Sequence, residues 1–206
     1  MFIQLEKVPL ILASGSIYRR ELLSRLRLPF IVISPDIDEA PLPGEKPEAT
    51  ALRLAQGKCE AVAKQNGDAI IIGSDQVAIL DGQQIGKPGT HENALAQLTM
   101  MQGRSVVFHT ALCLLDARRQ PGAHAIQLRN IETQVTFRNL PASELDAYLR
   151  IEQPYDCAGS AKNEGLGITL IESIDSSDPT ALTGLPLITL TSMLLQVGVS
   201  FFGNPL

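Results

Sequence analysis

The stretch Ala69-Ile-Ile-Ile-Gly-Ser-Asp-Gln-Val77 decides the fold of the chain. Its apolar run from Ile70 to Ile72 has the β-branched content of a strand that is buried on both faces. Gly73 and Ser74 are expected to end this strand, with Asp75 directly after it. In an open α/β sheet, ligands bind beyond the carboxyl ends of the strands. Asp75 is therefore a candidate catalytic carboxylate, and a turn-forming aspartate is the alternative.

The composition of the chain restricts its fold class and its partners. The 206 residues, of which 45% are hydrophobic and 19% charged, fit one globular domain or two small lobes that share a core. The formal net charge of -5 and the lack of a Lys/Arg block argue against broad nucleic-acid binding. A small anionic ligand is still compatible with this charge, because a local basic pocket can exist on an acidic protein.

The cysteines and the apolar stretches indicate the cellular compartment. Cys59, Cys113 and Cys157 are odd in number and have no metal-ligand spacing, so we expect buried, reduced thiols. The N-terminal residues do not follow a signal-peptide pattern. No apolar stretch approaches the ~20 residues that span a bilayer. The sequence predicts a cytoplasmic protein without a membrane segment.

The first helix carries a candidate anion-binding residue. Residues 8–13 are predicted to form a strand, and Ser16 is a plausible N-cap for a helix over residues 17–27. Arg19 falls in the middle of the apolar sector of this helix, which comprises Leu22, Leu23 and Leu26. A cation there points toward the carboxyl edge of the sheet, beside backbone N–H groups that attract anions. The alternative is that Arg19 extends to solvent.

Two further polar features follow a second predicted strand, Phe30 to Ser34. Asp36, Asp38 and Glu39 form an acidic group that suits a divalent cation with oxygen ligands, or that is merely solvated. Residues 47–66 read as a helix, in which Lys58 lies inside the apolar sector. A lysine in that position needs a partner or a route to solvent.

The sequence after the central strand predicts a hairpin and then alternating elements. Asp81-Gly82 is a strong two-residue turn signal, and it would pair Gln76 with Lys87 and Asp75 with Pro88. Helices are expected at 91–102, 141–150 and 187–197, and strands at 105–115, 126–137 and 168–171. Residues 157–167 form a small-residue loop that allows close approach of a ligand. No chemical role is assigned to the histidines, His91, His109 and His124.

Several motifs together resemble one family. The N-terminal segment Leu12-Ala-Ser14-Gly-Ser16-Ile-Tyr18-Arg19-Arg20-Glu-Leu-Leu23 is similar to the signature of the Maf family of nucleoside triphosphate pyrophosphatases. The other motifs follow in the family's order and spacing: Asp38-Glu39, Leu52-Arg-Leu-Ala-Gln-Gly-Lys58, Gly73-Ser-Asp75-Gln76-Val77, Gly86-Lys87-Pro88, Ala158-Gly159 and Gly184-Leu-Pro-Leu187. The resemblance covers nearly the whole chain.

The resemblance implies a fold and a reaction. The fold would be α/β, with an elongated mixed β-sheet, flanking helices and two lobes that frame a central cleft, as in inosine triphosphatases. Residues 1–206 would form a single Maf-like domain with these two lobes. The reaction would be the hydrolysis of the bond between the α- and β-phosphates of a nucleotide, assisted by a divalent cation, Mg²⁺ or Mn²⁺. Such an enzyme would remove modified nucleotides from the pool, and a homodimer is a possible assembly.

The resemblance also implies roles for individual residues. Asp75 would be the general base and Glu39 a metal ligand. The phosphate groups would be bound by Arg19, Lys58 and Lys87, together with Ser14, Ser16 and the amides of their loop. These residue types suit attack of water on an anionic phosphorus, because that step needs charge neutralisation and a positioned base.

Three positions are expected to sort substrates within the family. Tyr18, Gln76 and Glu164 resemble the branch of 7-methyl-GTP pyrophosphatases, although that branch more often has Trp in place of Tyr18. A methylated guanine carries a ring cation, which an aromatic face attracts and a carboxylate can pair with. One alternative is a sibling enzyme that hydrolyses dTTP, UTP or modified pyrimidine triphosphates. The other is a nucleotide-binding regulator of septum formation.

Overall fold

A computed structural model describes residues 8–118 and 126–202, so that His124 lies outside the described residues. In these ranges seven strands alternate with five α-helices. The strands are β1 (Leu10–Ala13), β2 (Ile31–Val32), β3 (Ile70–Leu80), β4 (Gln83–Ile85), β5 (Ser105–Asp116), β6 (Ile126–Phe137) and β7 (Ile171–Ser176). The helices are α1 (Ile17–Ser24), α2 (Pro47–Ala63), α3 (His91–Met101), α4 (Ala142–Glu152) and α5 (Leu187–Gln196).

The strands form one mixed sheet, which confirms the predicted α/β class. Their hydrogen-bonded order is β2-β1-β3-β5-β6-β7, and β4 pairs with β3 off this path. β1 is parallel to both β2 and β3, whereas β3–β4 and β6–β7 are antiparallel. The parallel part is covered on both faces, as expected for strands joined by helical crossovers.

Alternation along β1 and β3 assigns each helix to one face of the sheet. Leu10 and Leu12, with their β3 partners Ile70 and Ile72, share one apolar cluster with residues of α1 and α5. Residues 71, 73 and 75 face the other way, toward α2, because side chains alternate along a strand. The Cys59 thiol of α2 accordingly donates to the carbonyl of Ile71 at 3.5 Å.

Gly73 allows α2 to pack directly against β3. A Cβ atom at this position would lie 2.4 Å from the carbonyl oxygen of Ala55 and 2.8 Å from the sulfur of Cys59. Both distances are shorter than real Cβ contacts, so a side chain at position 73 would force the helix outward. Gly73 therefore sets the height of α2, including Lys58, above the strand.

The described residues divide into two compact units. Unit 1 is drawn from Met1–Asp75, Thr110–Ile131 and Asp178–Leu206. Unit 2 comprises Gln76–His109 and Glu132–Ser177. In unit 1, α1, α2 and α5 pack around β1, whereas unit 2 contains α3, α4, β4 and β7.

The prediction that Gly73 and Ser74 end the central strand is wrong. β3 continues through both residues to Leu80, so Asp75 lies inside the strand rather than after it. The parallel ladder with β1 does stop at Gly73, opposite Ala13. Asp75 therefore lies past the carboxyl end of β1, as expected for a ligand-binding edge, although its own strand goes on.

Other predicted boundaries differ from the structure where local signals are weak. Helix α1 ends at Ser24, three residues early, and Arg27 adopts a left-handed φ of 55°. The second strand shrinks to Ile31–Val32 at the edge of the sheet. The strand predicted at 168–171 is wrong, because Leu166–Leu170 is a 3₁₀ helix and β7 begins only at Ile171.

The β3–β4 hairpin has the predicted turn but a shorter ladder. Asp81 and Gly82 have φ values of 51° and 79°, as a type I′ turn requires. The observed pairs begin with Leu80 opposite Gln83 and follow the predicted register as far as Ala78 opposite Ile85. Since β4 ends at Ile85, Lys87 is not part of the ladder.

The three cysteines are all free thiols. Cys59 and Cys113 are buried free thiols, as predicted, whereas Cys157 is free but partly exposed. Burial raises the pKa of the Cys59 thiol, so this group stays protonated. No helix within the described ranges is both long and apolar enough to cross a membrane.

Candidate functional site

The centre of the candidate site in unit 1 is the ammonium group of Lys58. Its Nζ atom lies 2.6 Å from Oδ1 of Asp75 and 2.8 Å from Oε1 of Glu39. Lys58 is only 5% exposed and Asp75 only 8%, whereas the Glu39 side chain is 56% exposed. The interpretation that Lys58 is aimed into the fold and needs a partner is confirmed.

Strand and helix periodicity together produce this contact. Asp75 is on the β3 face that α2 covers, two residues beyond Gly73. Lys58 is four residues from both Leu54 and Val62, so it lies on the buried stripe of α2. An ammonium has three N–H donors, and two of them are directed at carboxylates here. The third is suited to an additional acceptor.

Arg19 is held at the first turn of α1 by contacts from both ends of the chain. Ser16 is the N-cap, as predicted, and its hydroxyl accepts from the backbone N–H of Arg19 at 3.3 Å. The Arg19 side chain donates through Nε to the carbonyl of Gly184 at 2.9 Å and through Nη1 to the Ser14 hydroxyl at 3.4 Å. Ser14 Oγ also accepts from the backbone N–H of Ser16 at 3.2 Å. The guanidinium is thereby fixed rather than extended to solvent.

The charges of this site nearly balance one another. Desolvation lowers the pKa of Arg19, while the nearby carboxylates Asp75 and Glu39 raise it. An arginine guanidinium does not lose its proton in folded proteins, so Arg19 remains a cation near neutral pH. Two cations, Arg19 and Lys58, thus face two carboxylates. A polyphosphate would add several negative charges to this balanced set, which favours a further cation in the reactive complex.

A second ion pair fixes the loop that carries Glu39. Arg53 donates to both carboxylate oxygens of Glu45, at 2.7 and 2.8 Å, and to the carbonyl of Ala40 at 3.0 Å. Glu45 also accepts from the Thr50 hydroxyl at 2.9 Å. The Arg53 hydrogen bonds hold the pKa of Glu45 at about 2, below its ordinary value of 4.5. Arg53 belongs to the Leu52-Arg-Leu-Ala-Gln-Gly-Lys58 motif, but nothing in the sequence linked it to this loop.

The acidic group predicted to bind a cation is not assembled as a cluster. In residues 8–118 and 126–202, no group of three or more His, Cys, Asp or Glu side chains could hold a metal ion. Asp38 accepts from the backbone N–H of Ala40 at 2.9 Å, within its own loop. Asp36 lines a separate cavity of about 360 Å³ beside the end of α2. Glu39 approaches Asp75 through their common partner Lys58.

The donor set still fits a divalent cation of the Mg²⁺ type. Such a cation keeps several waters and is usually held by one or two carboxylates together with substrate phosphates. Glu39 and Asp75 approach the same ammonium, so their carboxylates already face a common cationic centre. Glu39 is exposed enough to reach a hydrated ion. A shared site without substrate phosphates would be incomplete, which agrees with the lack of a three-residue cluster.

Two residues that support Arg19 were not predicted as part of the site. The Ser74 hydroxyl is buried and lies 2.8 Å from the carbonyl oxygen of Ala111 and 2.9 Å from that of Gly184, so its single proton can be donated to either. The Gly184 carbonyl is thus within hydrogen-bond distance of both Ser74 and Arg19. It has a φ of 110°, and a Cβ there would lie 3.4 Å from Nε of Arg19. The Gly184-Leu-Pro-Leu187 motif was a signal for this position, but nothing local linked it to Arg19.

The remaining predicted site residues are distributed between the units. Tyr18 is half-buried in the first turn of α1, in unit 1. Unit 2 contains the half-buried Gln76 of β3, the exposed Lys87 after β4, and the exposed Glu164. Within unit 1, Arg19 contacts Ser14 and Ser16, and Lys58 contacts Glu39 and Asp75. The charges of Asp75 and Glu39 also act on Arg19, so unit 1 brings these six residues together.

Comparison with known proteins decides the family. The model of a family described as Maf-like protein matches residues 9–197. The chain belongs to the Maf family. The resemblance that the motifs indicated is therefore confirmed.

Relatives with curated names are similar to this Maf chain along almost their whole length. A 7-methyl-GTP pyrophosphatase of Cupriavidus metallidurans is 64% identical over 194 residues, 94% of this chain and 96% of the relative. Proteins of the same name from Ralstonia nicotianae and Burkholderia thailandensis are each 61% identical. They cover 94% and 95% of this chain, and 98% and 91% of their own lengths.

A solved structure with a similar chain length was also found. It is the crystal structure of a nucleoside-triphosphatase, or dITP/XTP pyrophosphatase, from Mycobacterium abscessus. The match covers 93% of this chain and 94% of that one, with 16% identity and a TM-score of 0.42.

Proposed function

We propose that this chain hydrolyses 7-methyl-GTP between its α- and β-phosphates, releasing 7-methyl-GMP and diphosphate. The observation that carries the proposal is the name shared by relatives that are 61–64% identical over 94–95% of the chain. The contacts of Lys58 and Arg19 support the reaction class, because two fixed cations beside a buried carboxylate suit attack of water on a phosphate.

Asp75 is proposed as the general base. Its Oδ1 atom accepts from Lys58, and a carboxylate has a second oxygen that can accept a proton from water. Lys58 would stay paired with Asp75 and donate its third N–H to a phosphate oxygen. Arg19 would bind a second phosphate oxygen, since its Nε and Nη1 contacts fix the plane of the guanidinium.

The other phosphate contacts are proposed from the loop before α1 and from unit 2. The hydroxyls of Ser14 and Ser16, with the amides of their loop, would contact phosphate oxygens at the N-terminus of the helix, where anions are stabilised. Lys87 would supply a third cation. Its role rests on the Gly86-Lys87-Pro88 motif of the family.

Glu39 is proposed to hold a divalent cation, Mg²⁺ or Mn²⁺, together with substrate phosphates. When bound, the cation would neutralise charge on the phosphate chain and polarise the bond that breaks. Arg53 would keep the Glu39 loop in place through Ala40 and Glu45.

The base would be recognised by Tyr18, Gln76 and Glu164. The ring cation of 7-methylguanine would be attracted to the aromatic face of Tyr18, and Glu164 would accept hydrogen bonds from the base. We further propose that the two units act as one Maf-like domain, and that the protein works in the cytoplasm as a homodimer. Light scattering of the purified protein would test the assembly.

The deciding experiment is a diphosphate-release screen with 7-methyl-GTP, GTP, dTTP and UTP. Each nucleotide is tested with Mg²⁺, with Mn²⁺ and with a chelator. We expect the highest kcat/KM for 7-methyl-GTP and no turnover with the chelator. Higher activity on dTTP or UTP would instead assign the chain to the sibling activity. Nucleotide binding without any diphosphate release would contradict the proposed enzymatic activity and favour a role as a nucleotide-binding regulator.

A further inference from the structure

Two side chains of helix α3 hold the peptide groups on either side of Lys87. Asn93 donates through Nδ2 to the carbonyl of Pro88, and Gln97 donates through Nε2 to the carbonyl of Gly86, both at 3.0 Å. Asn93 and Gln97 are four residues apart, so they lie on the same face of the helix. The backbone of Lys87 is therefore fixed on both sides, although its side chain is exposed.

The same glutamine contacts a second loop of unit 2. Its Oε1 atom accepts from the hydroxyl of Ser160 at 2.7 Å. Ser160 is completely buried and has a left-handed φ of 55°, which residues other than glycine rarely adopt. A carbonyl such as that of Gly86 can only accept, so the amide nitrogen must face it and the amide oxygen must face the hydroxyl. Gln97 thus bridges two loops with one side-chain amide.

The contacts continue from Ser160 to both sides of Glu164. The Tyr148 hydroxyl donates to the carbonyl of Ser160 at 3.2 Å and accepts from the N–H of Lys162 at 3.1 Å. Burial raises the pKa of Tyr148 to about 12, so the hydroxyl keeps its proton over the physiological range. On the other side of Glu164, the carboxylate of Glu152 accepts from the N–H of Leu166 at 2.8 Å.

Two glycines of this segment, Gly165 and Gly167, lie where neighbouring atoms leave no room for a side chain. A Cβ at Gly165 would lie 2.7 Å from Oε2 of Glu152, and one at Gly167 would lie 2.4 Å from the backbone nitrogen of Lys162. Glu152 also pairs with the ammonium of Lys162 at 2.9 Å. The backbone that carries Glu164 is therefore tied at residues 160, 162 and 166.

We propose that Gln97 is a positioning residue that fixes the Lys87 segment and the Glu164 loop in one geometry. Phosphate binding by Lys87 and base recognition by Glu164 then both depend on the side-chain amide of Gln97. The inference rests on the proposed function, which gives Lys87 and Glu164 those roles. It predicts that loss of the amide impairs turnover and base discrimination together.

Four variants of the full-length protein separate the contacts that hold the Lys87 segment from those that hold the Glu164 loop. Asn93→Ala removes a contact on the Lys87 side only, and Ser160→Ala removes the contact on the Glu164 side only. Gln97→Leu removes both. Gln97→Glu keeps an acceptor for Ser160 but has no donor for Gly86 near neutral pH. The measurement is kcat/KM for 7-methyl-GTP and for GTP with Mg²⁺, beside a thermal melt of each variant.

The expected pattern differs for each variant. Gln97→Leu should lower kcat/KM for both nucleotides by roughly ten- to a hundredfold, as small displacements of a catalytic group do, and should reduce the 7-methyl-GTP to GTP ratio. Asn93→Ala and Gln97→Glu should lower both values with little change in the ratio. Ser160→Ala should mainly reduce the ratio. A purely structural role would lower the melting temperature without changing the ratio.

A double-mutant cycle with Lys87→Ala completes the test. If Gln97 acts through Lys87, adding Gln97→Leu to Lys87→Ala should cost much less on GTP than Gln97→Leu costs alone. The inference would be overturned if the losses from Gln97→Leu and Lys87→Ala were additive. It would also be overturned if Gln97→Leu left the ratio of kcat/KM for 7-methyl-GTP to that for GTP unchanged. If Gln97→Leu does not fold, Gln97→Glu replaces it in the cycle. Full activity of Lys87→Ala would overturn the proposed phosphate contact of Lys87 together with the inference. An impaired Lys87→Ala beside fully active Gln97 variants would overturn the inference alone.

Discussion

Replacement of Asp75 by asparagine tests the proposed base with little disturbance of the fold. The asparagine side chain has nearly the same shape, and its carbonyl oxygen can still accept from Nζ of Lys58, now 2.6 Å from Oδ1. Lys58 also keeps Glu39 at 2.8 Å, so its buried ammonium is not left without a carboxylate. We expect a loss of stability of at most about 1.5–3 kcal/mol, the range for a hydrogen bond to a charged group.

The loss of turnover should be far larger than this loss of stability suggests. Removal of a general base costs ~10²–10⁴-fold in rate, which corresponds to about 2.7–5.4 kcal/mol of activation free energy. Nucleotide binding should survive, because the cations Arg19 and Lys58 remain and one negative charge near the phosphates is lost. The variant should therefore bind substrate at least as tightly and turn it over slowly.

Glu39→Gln is the matched control. It removes the other carboxylate from the same ammonium, so Lys58 again retains one carboxylate partner. Because Glu39 is proposed to hold the metal rather than to take a proton, its loss should be partly rescued by higher Mg²⁺ or Mn²⁺ concentrations. The loss in Asp75→Asn should not be rescued in this way.

The assay is single-turnover release of diphosphate from 7-methyl-GTP, with binding measured by calorimetry on a non-hydrolysable analogue. Metal concentration is varied for the wild-type protein and both variants. Near-normal turnover of Asp75→Asn with saturating metal would refute the assignment, and rescue by metal would move Asp75 to the metal-ligand role.

Two further predictions concern stability and specificity. Glu45→Gln should lower the melting temperature at pH 7 but not near pH 2. The hydrogen bond from Arg53 lowers the pKa of Glu45 to about 2 in the folded chain, from an ordinary value of 4.5. The ionised Glu45 therefore stabilises the fold above pH 4.5, and this contribution is lost as the pH falls toward 2. Thermal melts over this pH range check it, and equal losses at both ends would contradict it. The base contacts should give a preference of tens- to a thousandfold for 7-methyl-GTP over GTP, because a cation–π contact is worth about 0.5–2 kcal/mol and a hydrogen bond to a charged group about 1.5–3 kcal/mol. The triple variant Tyr18→Arg, Gln76→Thr and Glu164→Gln should lose this preference and shift activity toward dTTP and UTP. Measured kcat/KM values that still favour 7-methyl-GTP over dTTP and UTP would refute these specificity roles.

Local chemistry made much of the fold and the site predictable. The β-branched run at 70–72, the N-cap Ser16 and the Asp81-Gly82 turn each act over a few residues, and each is found where the sequence placed it. Lys58 was predictable because helical periodicity alone places it on the buried side of α2. The nature of its partners was not, since Glu39 and Asp75 belong to other segments.

The errors arise where tertiary packing outweighs a local signal. Gly73 looks like a strand terminator, yet it is needed inside β3 because the backbone of α2 approaches it too closely for a Cβ. Arg53 looks like a solvated residue because a helical wheel does not show the loop that folds back to it. Gln97 carries no motif at all, and its importance follows only from the two loops that it contacts.

The hydrogen bond from Arg19 to Gly184 has a consequence for protein synthesis, because 165 positions separate the two residues. A ribosome adds about 5–20 residues per second, so this interval takes roughly 8–33 seconds. During that time α1 can form with its Ser16 cap, but the carbonyl that orients the guanidinium does not yet exist. A nascent chain that stops before Gly184 therefore has its arginine without its anchor. Such a fragment would present a flexible cation to cellular nucleotides instead of a preorganised one.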